Sequence, residues 1–303
     1  MSRQSVLLAA LIILSASESR SQYYFYNDRY YNTPVLVEAG ISTGGFNCLT
    51  DLGGNKGPGR RFLKDVNLQN THPGGGAYLV ILFQQVAGIR FEGSIGQVSA
   101  SDHILKNDES TAKNRFNRNL SFQTILREFS ITAEFYPLSL LIGEDYPLFS
   151  PYITLGIGVF SFNPRANYQG KWVDLRPLHT EGQGFKEYPD RPVYRLTQIN
   201  FPFGFGLRYE ISAIFSARAE VVYRFLTTDY LDDVSTTYIN PTHFQSNLKA
   251  EAIATAVSLA DRSVELSPGS INQAGGIRGN PGNKDAYFSF NIKLGVVLNR
   301  KHR

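Results

Sequence analysis

The feature of this sequence that most constrains its fold is a repeated alternation of apolar and polar residues. In residues 127–136, for example, Phe129 and Ile131 fall on one face of an extended chain, whereas Glu128 and Glu134 fall on the other. A period of two residues is that of a β-strand, because a helix would mix these two sets on its surface. Eight stretches have strand character: 35–42, 77–83, 89–96, 127–136, 153–159, 199–208, 217–225 and 288–296. Residues 77–83 are so uniformly apolar that the sequence does not show which of their side chains face inward.

The connections between these stretches alternate in length. Long segments follow the first, third, fifth and seventh stretches, and the longest spans residues 229–283. The links at residues 84–88 and 211–214 are tight. A meander with long loops at one end and short turns at the other is typical of outer-membrane barrels. The sequence therefore predicts an all-β fold, an eight-stranded antiparallel transmembrane β-barrel of OmpA-like size with long extracellular loops.

The first residues have the composition of a secretory signal peptide. Arg3 precedes an apolar run over residues 6–14, and small residues follow. Because the run is too short to span a bilayer as a helix, a cleaved leader is the better interpretation. We predict a signal peptide over residues 1–21, with cuts after Ser17 or Ser19 also fitting. We then expect a periplasmic segment over residues 22–33 and, over residues 34–303, a barrel that contacts the lipids of a Gram-negative outer membrane.

Charged residues occur almost entirely on the polar faces of the predicted strands. Both signs are present, so these side chains can pair with one another inside a narrow barrel. On the lipid face, by contrast, each Arg or Lys near the midplane would cost about 2–4 kcal/mol. We expect a lumen closed by salt bridges, formed by Glu38, Arg90, Glu92, Glu128, Glu134, Arg208, Glu210, Arg218, Glu220, Arg224 and Lys293.

Aromatic residues near the predicted strand ends suit the girdles that flank the apolar band of such barrels. Ordinary β-propensity is the alternative explanation for them. The candidates are Tyr152, Phe160, Phe162, Tyr209, Tyr223 and Phe225.

The last long loop contains a segment of helical composition. Residues 244–266 are rich in Ala, Leu, Glu and Lys and contain neither Gly nor Pro, which favours a helix. We interpret it as a lid on the barrel mouth, with a ligand-binding helix as the alternative.

Two loop stretches contain candidate functional residues. The stretch TDYLDDVSTTY over residues 228–238 offers Asp229, Asp232 and Asp233 as oxygen ligands, but its spacing is not that of a calcium loop, and turn capping explains the acids equally well. His179, beside Thr180 and Glu181, is the best candidate for a catalytic histidine.

The sequence contains no HxxxH pair and no GxSxG elbow; the letters GISTG at residues 40–44 match the pattern but begin inside a predicted strand. The one cysteine, Cys48, is expected to be a semi-buried side chain. A net charge of +4 without a basic stripe argues against nucleic acid as a partner. We therefore predict no catalytic, cofactor or metal site.

Four stretches resemble a family of Bacteroidota outer-membrane barrels that includes PorG, a component of the type IX secretion and gliding machinery. They are GISTGGFNCLTDLGG at residues 40–54, NLSFQTILREFSITAEFYP at 119–137, LRPLHTEGQG at 175–184 and TDYLDDVSTTY at 228–238. The resemblance covers nearly the whole chain after the signal peptide. It departs at Cys48, where an aromatic residue is expected, and at the helical insert, so either the secretion component or a paralogue fits.

The resemblance implies a barrel without enzymatic activity that is associated with a periplasmic ring of PorK and PorN. It also marks the two loop stretches as a rim motif at the extracellular mouth, with a structural role for Asp229, Asp232, Asp233, Thr236, Thr237, Arg176 and Glu181. Two other functions stay open from the sequence. One is a hydrolase with its site at the outer rim, and the other is a barrel that binds or adheres through its loops.

Overall fold

The structure is a computed structural model that describes residues 34–53, 68–105, 113–142 and 148–300. The predicted signal peptide and the segment over residues 22–33 lie outside this range. The described residues form ten β-strands: β1 Val35–Leu49, β2 His72–Phe83, β3 Ala87–Ser101, β4 Ser121–Phe135, β5 Phe149–Ser161, β6 Arg165–Tyr168, β7 Lys171–Asp174, β8 Thr197–Glu210, β9 Phe215–Leu226 and β10 Ala286–Val297.

Eight of these strands close into an antiparallel barrel. Each long strand pairs with the next long strand along the chain, and β1 pairs with β10, with Ala39 opposite Val296. The pairing of β3 with β4 runs from Ala87 opposite Phe135 to Ser101 opposite Ser121 and completes the cylinder. The predicted eight-stranded antiparallel β-barrel is therefore confirmed.

Alternate residues along the long strands face the lumen and the exterior. On β1, Leu36 is 1% exposed, whereas Ile41 is 67% exposed. The facing of β2, which the sequence left open, places Tyr78 and Val80 inside and Phe83 outside. The exterior is a band of exposed aliphatic and aromatic side chains, so its polarity is the reverse of that of a water-soluble barrel.

The aromatic girdle prediction was wrong for three residues. Tyr152 and Phe160 on β5, and Phe162 just after it, are 3% exposed or less and point inward. They occupy even-numbered positions, on the same face as the buried Thr154, so strand parity overrides their nearness to the strand end.

The other three girdle candidates belong to the exterior set. Phe225 is 43% exposed, and Tyr209 stacks on Phe149 with ring centroids 4.7 Å apart. Tyr223 packs on Phe225 at the same centroid distance.

The two ends of the barrel differ in structure. At one end lie helix α1, Lys113–Arg118, the β6–β7 hairpin, helix α3, Thr242–Asn247, and helix α4, Ala250–Ala260. At the other end, short turns join β2 to β3 and β8 to β9, and helix α2, Pro137–Ile142, follows β4. None of the helices among the described residues is long and apolar enough to cross a membrane.

The helix predicted over residues 244–266 is two helices. Leu248 has φ −112° and ψ 159°, and Lys249 is also extended, so α3 ends before α4 begins. The polar residues of α3 have lower helix propensity than the Ala-rich α4. The Asn247 side chain also donates to the carbonyl oxygen of His243 at 2.9 Å, which competes with the backbone at the end of α3.

The long loops pack onto the barrel mouth through one hydrophobic cluster. Phe46, Val98 and Phe160 contribute from the barrel wall, and Leu231 and Leu259 contribute from the last loop. Their side chains are 2% exposed or less. Among the described residues, the loops thus form a cap on the long-loop end of the barrel.

Candidate functional site

The lumen contains a continuous network of buried ion pairs. Arg90 contacts Glu134 at 2.9 Å and Glu220 at 2.8 Å. Glu134 also pairs with Arg218, whose Nε atom lies 2.8 Å from Glu38. Four strands thereby meet at the barrel axis through guanidinium and carboxylate groups.

The remaining predicted lumen charges extend this network in both directions. Lys293 pairs with Glu92 at 2.5 Å and with Glu220 at 2.8 Å, and Arg224 pairs with Glu128 at 2.9 Å. Towards the short turns, Arg208 bridges Glu38 and Glu210. The structure therefore brings all eleven predicted lumen residues into one connected or adjoining set of pairs.

One member of the set was missed from sequence. Arg300, in the basic C-terminal tail, lies 3.0 Å from Glu210. The paired set then contains six cations and six glutamates. The cations are Arg90, Arg208, Arg218, Arg224, Lys293 and Arg300. Such balance is what buried charges require, because an unpaired ion inside a barrel would carry its full desolvation cost.

Aromatic side chains complete the filling of the lumen. The hydroxyl groups of Tyr78 and Tyr152 donate to Glu38 at 2.8 Å and to Glu220 at 2.7 Å. Interior glycines make room for them, since a Cβ atom at Gly40 or Gly206 would overlap the Tyr78 or the Tyr152 ring. Arg90, Arg208, Arg218 and Lys293 are among the largest fully buried side chains. Side chains that fill the lumen in this way favour a rigid barrel.

The rim motif has Glu181 at its centre. Its carboxylate accepts hydrogen bonds from the backbone N–H groups of Ser235 and Thr236 at 3.0 and 2.9 Å, and from the Thr236 hydroxyl at 2.7 Å. It also forms a buried ion pair with Arg278 at 2.9 Å. Glu181 thus joins the loop after β7 to both ends of the last long loop.

Asp233 forms the second connection between these loops. It accepts hydrogen bonds from the Thr180 hydroxyl at 2.5 Å and from the Tyr194 hydroxyl at 2.7 Å. Its own φ of 65° is left-handed, a conformation that Asp tolerates better than most residues. Arg176 donates from Nε to the Tyr194 carbonyl oxygen at 2.8 Å, which holds the same loop.

The other predicted rim residues cap turns or accept a hydrogen bond from a nearby arginine. Asp229 accepts from the Ser235 hydroxyl at 2.7 Å, and Asp232 accepts from the Val234 N–H at 2.9 Å. The Thr237 hydroxyl accepts from Arg191 at 2.7 Å. All seven predicted rim residues therefore lie in one hydrogen-bonded region of the cap.

A further ion pair at the mouth had no distinctive sequence signal. Arg118 binds both carboxylate oxygens of Asp102 at 2.8 Å, and it also donates to the backbone oxygens of Asp51 and Arg278. It thereby ties together the first, second and last long loops. Arg118 ends the short helix Lys113–Arg118, whose six residues are too few to show a helical periodicity.

Several carboxyl groups of the cap have a raised pKa. Burial raises the pKa of Asp229 to about 7 and the pKa of Asp51 to about 6. Burial and the neighbouring Asp51 carboxylate raise the pKa of Asp232 well above its ordinary value. In the described part of the chain, no group of three or more His, Cys, Asp or Glu side chains is arranged to hold a metal ion.

His179 shows no catalytic arrangement with the residues that made it a candidate. Its ring packs against Phe185 with centroids 5.6 Å apart, and its backbone φ is 51°. The Thr180 hydroxyl is bonded to Asp233, and Glu181 is paired with Arg278. Both neighbours of His179 thus serve the cap instead of activating the imidazole.

Cys48 is buried at 8% exposure, and its thiol contacts the Ser99 carbonyl oxygen at 3.6 Å.

Neither a protein-family model nor a curated protein matches the sequence. Among solved structures, the chain is similar to the outer-membrane protein OprG of Pseudomonas aeruginosa, at 12% identity over 87% of this chain and 95% of that chain, with a TM-score of 0.37. It is also similar to Neisserial surface protein A, at 6% identity over 88% and 98% of the two chains, with a TM-score of 0.36. The N-terminal β-barrel domain of OprF from Pseudomonas aeruginosa matches at 8% identity over 88% and 98%, with a TM-score of 0.34.

Proposed function

We infer that this chain is a non-enzymatic outer-membrane barrel that acts as an anchor or scaffold in the type IX protein secretion machinery. The observation that carries a structural role is the lumen. Its centre is occupied by paired charges such as Arg218 and Glu134, which are held by tyrosine hydroxyls and are almost completely buried. A barrel filled in this way serves as a rigid membrane element and not as a diffusion pore.

Membrane placement is supported by the reversed polarity of the wall. Exterior residues such as Phe129, Leu155 and Phe205 are 55–58% exposed, an arrangement unfavourable in water and favourable in lipid. Each inner-face Arg or Lys near the midplane would cost about 2–4 kcal/mol if the barrel were turned inside out in a bilayer. The closed strand pairing also leaves no unpaired edge in the hydrocarbon layer.

The secretion role is supported by the sequence resemblance and by where its motifs lie. The two loop stretches, residues 175–184 and 228–238, are joined through Glu181 and Asp233 into one unit of the cap. The short-turn end, with the segment over residues 22–33, would then face the periplasmic ring of PorK and PorN. In this arrangement the barrel fixes the position of the ring beneath the membrane.

Deletion of the gene tests the secretion role. We expect loss of type IX cargo from the medium, restored by the wild-type chain, and recovery of the PorK-like lipoprotein with a tagged barrel from solubilised membranes. Normal secretion in the deletion strain together with no recovered ring protein would contradict the proposal. A separate recording in planar bilayers tests the closed lumen, for which we expect no conductance steps from the wild type.

A further inference from the structure

Arg127 is the one charged side chain among the exterior positions of the eight barrel strands. It lies on β4 between Ile125 and Phe129, which are 45% and 55% exposed, and it is itself exposed. Within the described residues its guanidinium has no hydrogen bond or ion pair, whereas the lumen arginines are all paired. An unpaired cation on an apolar wall needs either water or an anionic partner.

The wall changes from apolar to polar close to Arg127. In the sheet Arg127 is opposite Ile95 on β3 and Ser161 on β5, and Ser161 is in turn opposite Thr197 on β8. On the outer face Gln97 follows Ile95 on β3, Ser161 follows Val159 on β5, and Thr197 precedes Ile199 on β8. On β4 the change comes one outward position later, where Gln123 lies beyond Ile125, so the apolar limit on this side of the barrel lies close to the level of Arg127.

The height of Arg127 fits the edge of the hydrocarbon layer. Eight residue steps separate it from Phe135, where β4 ends at the short-turn end of the barrel. At about 3.3 Å per residue and a strand tilt of about 40°, this is roughly 20 Å along the membrane normal. The apolar band of such barrels is about 25 Å tall, so the long Arg127 side chain can extend from the apolar wall to the level of the lipid headgroups.

We propose that Arg127 is a binding site for the phosphate of an anionic lipid in the outer leaflet. The guanidinium presents its donors in a planar fork that suits phosphate oxygens, and Gln97 and Ser161 supply further polar groups beside it. The acyl chains of the same lipid would lie along Ile95, Phe129 and Val159, which are 49–55% exposed. The inference rests on the membrane placement proposed above but not on the secretion role.

The test uses the mature chain in lipid nanodiscs of phosphatidylcholine that contain phosphatidylglycerol, with the lipids retained by the protein counted by native mass spectrometry. We expect the wild type to retain phosphatidylglycerol preferentially and Arg127→Gln to retain about fivefold less, the effect of one arginine near an anionic surface. Arg127→Lys should keep part of the preference, because it keeps the charge but loses the fork. Arg165→Gln is the matched control, since Arg165 is a half-exposed arginine on the β6–β7 hairpin that pairs with Asp174.

Equal retention by the wild type and Arg127→Gln would overturn the proposal. So would displacement of the bound lipid by excess inorganic phosphate, which would make the site one for free phosphate. A wild-type chain that does not enter nanodiscs would refute the membrane placement itself, an outcome distinct from a folded, inserted barrel without lipid preference. Cargo secretion by the deletion strain tests the secretion role separately.

Discussion

Glu38 and Arg218 lie 180 residues apart in the chain, yet the Nε atom of Arg218 donates a hydrogen bond to Oε1 of Glu38 at 2.8 Å inside the barrel. Both side chains are fully buried. The pair joins β1 to β9, the two strands that flank β10 and do not pair with each other. A charge pair therefore links two strands that share no backbone hydrogen bond.

Removal of this brace should be strongly destabilising. Arg218→Met leaves Glu38 and Glu134 with one cation fewer in a dry interior, and we expect a loss of about 3–5 kcal/mol in the free energy of unfolding. Arg165→Met is the control, because the Arg165–Asp174 pair is exposed at 48% and 43% and should contribute about 0–1 kcal/mol. Urea unfolding in detergent, followed by heat-modifiable migration on gels, measures both. Equal losses would show that the lumen pair has no special weight.

Space inside the barrel should limit substitution at Gly206. A methyl group there overlaps the Tyr152 ring and would displace its hydroxyl from Glu220, so we expect Gly206→Ala to cost about 1–3 kcal/mol. Gly93 provides the matched comparison on the exterior, because no heavy atom lies within 4 Å of a Cβ placed there. Thermal unfolding in detergent should leave Gly93→Ala unchanged or slightly more stable. A larger loss at Gly93 than at Gly206 would refute the crowded lumen.

The cap should lose stability as the pH rises. The folded-state pKa of Asp229, about 7, and that of Asp51, about 6, exceed the ordinary value of 3.8, so the folded cap holds protons more tightly than the open cap. Their contribution is complete below about pH 4 and is lost as the pH rises towards 7. Hydrogen exchange of residues 228–238, corrected for intrinsic rates, should therefore show protection falling between pH 4 and 7.

Two variants determine the origin of that pH dependence. Asp229→Asn keeps an acceptor for the Ser235 hydroxyl and removes one of the two titrating groups, so it should reduce the pH-dependent loss of protection and leave only the part due to Asp51. Asp261→Asn makes the same change at a turn elsewhere in the last loop, where the aspartate accepts from the backbone of Ser263 and Asn272. Its profile should follow the wild type. A wild-type profile that is flat would contradict the raised pKa values.

Glu181 should control the integrity of the whole cap. Glu181→Gln removes the charge that neutralises the buried Arg278 and replaces one acceptor by a donor, so we expect a cost of about 3 kcal/mol and faster proteolysis within residues 228–238. Glu187→Gln is the control on the same loop, where the exposed carboxylate accepts from Asn247. If both variants are cleaved at the wild-type rate, the rim motif does not hold the loops.

The barrel could be predicted from the sequence because the alternation of apolar and polar residues along its strands is periodic. Glu128, Arg208 and Arg218 could be assigned to the inner face from their parity alone, since a shift of one residue would place them in lipid. Parity also contradicts the girdle assignment of Phe160, where nearness to the strand end was given too much weight. The partners within the lumen were not predictable, because strands such as β1 and β9, which do not pair in the sheet, are joined through their side chains.

The loop structures were harder to predict from the sequence, for a different physical reason in each case. The β6–β7 hairpin turns at Gln169 and Gly170, both with positive φ, but Gln-Gly is a weaker turn signal than Asn-Gly. The break between α3 and α4 depends on two extended residues in a sequence without Gly or Pro. Arg118 ends a six-residue helix and Arg300 lies beyond the last strand, and only the three-dimensional fold brings them to Asp102 and Glu210.

The seam between β1 and β10 has a consequence for the order of assembly. It joins the first and last strands of the barrel, from Glu38 opposite Val297 to Leu49 opposite Ala286. Contacts of such long sequence separation form slowly, because the entropy of bringing the chain ends together is lost before any contact compensates for it. No cylinder can therefore close until the last strand has been delivered to the membrane, and until then β1 keeps an unsatisfied edge that a folding chaperone or a neighbouring strand must protect.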